Sequence, residues 1–238
     1  MMNNIDFVFF HIGDITQPQL LTLSIKKFNP ESKIYFITDL STKDIEGVTK
    51  TVRFDLDREN LMTSRLEAFS KLELNEPAVY IDTDVLVVRP IPITLFEGKD
   101  IILCNRSFSS DALINTSIRG MDLSEFAGRT FGEVYPFLAC FTYSKNYKFW
   151  SECYKTLLNL DPKFHFWYGD QEALRIVYAS KIFNIGLLDE KIICTLPEYS
   201  KPGDGSYSVH FKGSKRKSLM LQAADFILSD KYFYQDNI

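Results

Sequence analysis

Along the N-terminal part of the chain, short apolar runs alternate with helical patterns. IDFVFF (Ile5–Phe10) and KIYFIT (Lys33–Thr38) are β-branched and aromatic stretches of the length of buried strands. Between them, Gln19–Phe28 follows Pro18 and carries Leu20, Leu23 and Lys27 at helical spacing, so the three segments read as a β-α-β unit. Thr49–Phe54 predicts another strand and Asn60–Leu74 another helix, while AVYI (Ala78–Ile81) is an apolar run too short to be a helix. Strands alternating with helices predict an α/β fold: one Rossmann-like domain over 1–238, with a mainly parallel central sheet and helices on both faces. Periodicity fails over 105–136, which we expect to form a flap or an acceptor-side loop. It returns in a strand at Pro136–Tyr143, helices at Tyr147–Leu160 and Gly169–Ala179, and strands at Ile182–Leu188, Ile192–Leu196 and Tyr207–Phe211.

Composition narrows the field. With 45% hydrophobic and 14% aromatic residues the chain can bury a sizeable core, and 11 glycines with 9 prolines are too few for a collagenous or Pro/Gly-rich disordered chain. A net charge of −4 supplies no global positive field, so no nucleic-acid partner is expected. No run approaches the ~18 consecutive apolar residues of a transmembrane helix. The start, MMNNIDFVFF, lacks the charged region of a signal peptide. A cytoplasmic location is expected, with peripheral attachment to a membrane left open. Cys104, Cys140, Cys153 and Cys194 form no CxxC pair and read as reduced, mostly buried thiols.

Ligands of such sheets bind in the crevice beyond the carboxyl ends of the strands, which directs attention to His11–Asp14, Asp39, and Asp82 with Asp84. The strongest local signal is VYIDTDVLVVRP. In extended backbone Asp82 and Asp84 share one face and Thr83 faces away, so two carboxylates stand together at a strand end and repel unless a cation joins them. A hard divalent ion, Mn²⁺ or Mg²⁺, suits such oxygens and bridges to substrate phosphates; the alternative is that the pair caps a turn leading to Pro90.

Three further signals accompany it. In SVHFKGSKRKSLM, His210 offers a metal-ligating nitrogen, Gly213 lets backbone approach a ligand, and Lys212, Lys215, Arg216 and Lys217 supply local positive charge, although a strand histidine before a solvated basic turn has the same pattern. In WYGDQEALRIV, Asp170 and Gln171 stand at a helix N-terminus, facing a site or capping the helix. Arg65 lies four residues from both Leu61 and Phe69, on the apolar stripe of its helix, where it wants an anion: a carboxylate such as Asp82, or a nucleotide diphosphate. The rings of Phe164–Tyr168 would stack on a sugar or base, or fill the core.

DTD after an apolar strand, then GDQEAL, then HFKG resembles, in order and spacing over Ile5–Met220, the nucleotide-sugar-dependent glycosyltransferases of GT-A fold, especially the glycogenin and bacterial lipopolysaccharide galactosyltransferase group. The resemblance implies a metal-dependent hexosyltransferase that moves a sugar from a nucleotide-diphosphate sugar, a UDP-sugar foremost, to a hydroxyl of a glycan or lipid-linked acceptor with retention at the anomeric carbon. It implies Mn²⁺ (or Mg²⁺) on Asp82, Asp84 and His210, and Asp170 with Gln171 as the catalytic pair beside donor sugar and acceptor. The nucleotide and its diphosphate would meet His11, Gly13, Asp39, Arg65, Asp82, Thr83, Lys212, Gly213, Lys215 and Arg216. Two features depart from the family: Arg216, Lys217 and Ser218 replace its Lys-Pro-Trp, and bulkier residues at Phe137–Cys140 replace its Asn-x-Gly.

Two other classes compete. An aspartate-nucleophile phosphatase nearly fits DTDVL, but Leu86 stands where Thr or Val belongs, and GDQEAL lacks the second acid of a GDxxxD loop. A non-catalytic nucleotide-sugar-binding module would keep the pocket and lose transfer.

Overall fold

A computed structural model describes residues 5–118, 121–166, 168–200 and 205–229. In chain order the regular elements begin with β1 (Asp6–Phe10), α1 (Thr16–Phe28), β2 (Ile34–Thr38), β3 (Lys50–Arg53), α2 (Leu61–Lys71), β4 (Ala78–Ile81), β5 (Val85–Val87) and β6 (Ile101–Asn105). They continue through a short hairpin, β7 (Ser117–Ile118) and β8 (Met121–Asp122), to α3 (Phe131–Val134), β9 (Phe137–Ser144), α4 (Lys148–Leu158), α5 (Lys163–Phe166) and α6 (Gly169–Ser180). The last are β10 (Ile185–Asp189), α7 (Glu190–Ile193), β11 (Ser208–His210), α8 (Ser214–Lys217) and α9 (Met220–Leu228).

Seven strands form one sheet in the order β10-β6-β9-β4-β1-β2-β3, parallel except for β9, which runs antiparallel to both β4 and β6. The mainly parallel α/β expectation therefore holds. Alternation along the strands divides the core. Val8 and Tyr80 face α2, α4 and α6, where Leu66, Phe69, Trp150 and Leu174 meet them; Phe7, Phe9, Val79 and Ile81 face α1 through Leu21 and Ile25. On the α1 side a second layer follows, in which β11 pairs antiparallel with β5 and α9 covers them with Met220, Ala223 and Ile227. No helix among the described residues is long and apolar enough to cross a membrane.

Three expectations change. Ile192–Leu196 is not a strand: Asp189 accepts a hydrogen bond from the Lys191 N–H and so caps α7, leaving only a bridge from Thr195 to Val209. Strand β10 begins at Ile185, later than expected, and Ile182 is exposed. The stretch 105–136 contains structure the pattern did not announce. Thr130 and Glu133 close a reciprocal capping box on α3, a signal legible as T-x-x-E. Of the aromatic run, Trp167 lies outside the described residues; Phe164 is buried and Phe166 exposed.

Candidate metal centre at the sheet edge

The aspartates sit where β4 leaves the sheet. The Asp82 N–H still donates to the Cys140 carbonyl at 2.9 Å, as another rung of the β4–β9 ladder, after which Thr83 and Asp84 turn the chain into β5. Asp82 and Asp84 do share a side, but a turn brings them there rather than extended alternation. The β5–β11 register then delivers the histidine. His210 pairs with Val85, the Phe211 N–H donates to the Asp84 carbonyl at 2.7 Å, and His210 Nε2 lies 3.3 Å from Asp84 Oδ1. Ligating atoms of Asp82, Asp84 and His210 all fall within 4.8 Å of one another, close enough for one cation to reach all three.

Charges already surround this cluster. Lys217 Nζ stands 3.2 Å from Asp84 Oδ2, and Arg65 bridges Asp82, at 2.8 Å, to Asp170. Burial would raise the Asp84 carboxyl, but His210 and Lys217 outweigh it and hold it at about 2. Asp82 goes the other way: burial, with repulsion from Asp84, lifts it to about 6 in spite of Arg65. His210 is held above its usual value by Cys140 and Asp84 against the desolvation that lowers it. His11 is lowered, chiefly by burial, and its Nδ1 is 3.1 Å from Thr83 Oγ1, so the end of β1 touches the DTD turn.

The remaining predicted residues divide into those at the cluster and those bound elsewhere. Asp170 is buried, accepts from the Gln171 N–H at 2.8 Å and joins the cluster through Arg65. The Gln171 side chain is occupied by the sheet: its amide NH₂ donates to the Phe137 carbonyl at 2.5 Å and its oxygen accepts from the Ala139 N–H at 3.2 Å, which ties α6 to β9. Asp39 spends its carboxylate on its own turn, where hydrogen bonds from Thr42 and Ser41 overcome burial and bring it to about 2, with Arg58 at 2.9 Å. The Gly13 N–H donates to Thr42 Oγ1 at 2.9 Å, and its φ of +106° suits glycine. In the basic turn Lys212 pairs with Glu190 at 2.5 Å, Arg216 pairs with Glu198, and Lys215 is exposed. Gly213 holds φ +86° with open space where a Cβ would go.

No protein-family model matches the chain, and no curated protein matches it. The site is thus read from its own geometry.

That geometry adds residues the sequence did not single out. Glu190 is fully buried, and its Oε2 accepts from the Ser107 and Phe108 N–H groups at 3.0 and 2.9 Å while Oε1 holds Lys212. One carboxylate thereby joins the start of the 105–136 segment to the basic turn. From the basic turn it is Lys217, rather than Lys215 or Arg216, that joins Arg65 as a cation on the DTD turn. Lys217 was visible as one charge among several, whereas Glu190 lay between two segments expected to be strands.

Proposed function

We propose that the chain is a metal-dependent glycosyltransferase of GT-A-like architecture, transferring a sugar from a nucleotide-diphosphate sugar, a UDP-sugar foremost, to a hydroxyl of a glycan or lipid-linked acceptor. The observation that supports this most is the convergence of Asp82, Asp84 and His210, far apart in sequence, on one sheet edge within 4.8 Å. Mn²⁺ or Mg²⁺ fits this oxygen-rich set with one nitrogen, and when bound it neutralises the departing diphosphate as a Lewis acid. The protein's own residues prepare that role. Arg65 keeps Asp82 and Asp170 aligned, and Lys217 balances Asp84 until a cation and diphosphate arrive, when its ammonium is free to turn to phosphate. Lys212, anchored on Glu190, adds positive charge beside the same turn. His11 and Thr83 border the nucleotide side. Asp170 lies on the sugar side in a retaining reaction, and Gln171, bound to β9, sets its position.

The test uses the purified chain with Mn²⁺ and a panel of nucleotide sugars, measuring release of nucleoside diphosphate, together with calorimetry of UDP binding with and without metal. Metal-dependent binding and sugar release that disappear in Asp84→Asn support the reading. Absence of metal-dependent nucleotide binding overturns it, and binding without turnover on any acceptor favours the binding module.

A further inference from the structure

His210 has a second side. Its Nε2 faces Asp84, while Nδ1, on the opposite flank of a ring only 5% exposed, has no hydrogen-bond partner among the described residues. A buried, unpaired ring nitrogen is costly, so what lies opposite it needs an explanation. Beside the ring are thiols: Cys140 from the middle of β9 and Cys194 from the turn after α7, both buried, whose sulfurs lie within 4.8 Å of each other and of a ring nitrogen of His210. Cys104, on neighbouring β6, is buried beside the Cys140 thiol, which raises its pKa, and so brings a third sulfur alongside.

We propose that Cys140, Cys194 and His210 Nδ1 form a binding site for a thiophilic d¹⁰ ion, Zn²⁺ in the first instance, separate in chemistry from the oxygen-rich cluster on the other side of the ring. Two thiolates and an imidazole are the ligand types that select zinc over Mg²⁺ or Mn²⁺. The spacing is compatible with bonds of ~2.3 Å to sulfur and ~2.0 Å to nitrogen around a single centre. Cys104, or a water, is at hand for the fourth tetrahedral position. The outer shell is already in place as well. A metal-bound histidine almost always donates its other ring N–H to a carboxylate, and Nε2 points at Asp84 Oδ1 at 3.3 Å. Binding displaces two thiol protons and supplies the partner that Nδ1 lacks. The ring serves one metal at a time. With zinc on Nδ1, Nε2 keeps its proton and turns from a ligand of the aspartate cluster into a hydrogen-bond donor.

Co²⁺ reports such a site directly, because cobalt on thiolates shows a sulfur-to-metal charge-transfer band that cobalt on carboxylates and imidazole does not. The whole chain, reduced and metal-free, is titrated with Co²⁺ anaerobically and then with Zn²⁺. The expected result is a charge-transfer band saturating near one equivalent, bleached by Zn²⁺, absent in Cys194→Ser and unchanged in Cys153→Ser, whose buried thiol lies in the other core. Asp84→Asn keeps the band and weakens Co²⁺ binding on the order of 10–100-fold, the usual effect of losing an outer-shell partner. If Cys194→Ser does not fold, the band in the unmodified protein decides. A wild-type protein with no such band, or a folded Cys140→Ser/Cys194→Ser protein that retains it, overturns the proposal. Because the signal needs thiolates and no nucleotide, it is independent of whether the chain transfers a sugar.

Discussion

Replacing Arg65 by methionine asks how much of this fold rests on one guanidinium. The side chain is 11% exposed and joins Asp82 and Asp170, whose side chains are 29% and 5% exposed. Methionine matches arginine in helix propensity and fills much of the same volume, so helix α2 and its packing should persist. Removing one partner of a buried ion pair costs about 3–5 kcal/mol. Here two terms reduce the figure: Asp82 is partly wetted, and Arg65 Nε, buried without a partner, is an unsatisfied donor that disappears with the substitution. The expected loss is therefore about 3 kcal/mol near pH 8, from the lower end of that range. With a urea dependence on the order of 3 kcal/mol per molar for a chain of this size, the unfolding midpoint, followed by tryptophan fluorescence, should fall by about 1 M. The sign with pH is also determined. Without Arg65 the folded-state pKa of Asp82 rises further above its unfolded value, so the native state binds more protons and the deficit should shrink as pH falls from 8 towards 5. A loss below about 1 kcal/mol, or one of equal size at both pH values, would refute the idea that this guanidinium neutralises buried carboxylates.

Other perturbations are equally specific. Asp82 is lifted to about 6, so Mn²⁺ affinity measured by calorimetry should fall as pH drops through 6, as its carboxylate takes up a proton, and should go on rising above 7 as His210, held above its usual value, gives up the proton that keeps its ring nitrogen from ligating. Lys217→Met removes the ammonium 3.2 Å from Asp84; it should tighten Mn²⁺ binding in the absence of nucleotide and weaken binding of nucleoside diphosphate in its presence, a pair of opposite shifts visible in one set of titrations. Gly169→Ala would place a Cβ 2.0 Å from the Phe164 carbonyl oxygen and 2.5 Å from Leu157 Cδ1; a loss of at least ~1–3 kcal/mol is expected, read as a fall in thermal midpoint of roughly 2–4 °C per kcal/mol. Glu190→Gln keeps an oxygen for the Ser107 and Phe108 N–H groups but loses the charge opposite Lys212, so it should cost on the order of 1.5–3 kcal/mol by urea unfolding, and Glu190→Ala should cost more.

The sheet was legible because its inner strands are continuous apolar runs buried on both faces, a pattern that survives without tertiary context; Phe7, Val8 and Phe9 are all fully buried, on alternate faces. The aspartate pair was legible for the related reason that polar residues ending such a run stand at the sheet edge. The antiparallel sense of β9 was not, because direction leaves no mark on a buried strand. The partnership of His210 with Asp84 came from the resemblance; physically it depends on β5–β11 pairing, a contact between distant segments that no local period announces. The helical pattern placed Arg65 on the apolar stripe of α2 and offered Asp82 as partner, while Asp170 as second partner required the packing of α6. The roles of Gln171 and Glu190 escaped because each bonds backbone of a remote segment, and a backbone N–H or carbonyl has no sequence signature.

Because β9 runs against its neighbours, the segment between β6 and β9 leaves and re-enters the sheet at the same place: Asn105 is paired with Phe137, and the Arg106 N–H donates to the Pro136 carbonyl at 2.7 Å. Its ends are thus clamped side by side whatever the chain does between them. Closing a loop on a fixed gap depends only weakly on length, about 0.6 kcal/mol for each doubling. The segment's exposed parts can lengthen or shorten with little entropic penalty as long as Ile114, Leu123, Val134 and Tyr135 keep their places in the core, and they do so at the rim where Asp84 and His210 stand. The exposed surface of that insert is therefore free to diverge, while the cluster of Asp82, Asp84 and His210, assembled where β4, β5 and β11 meet, keeps its geometry.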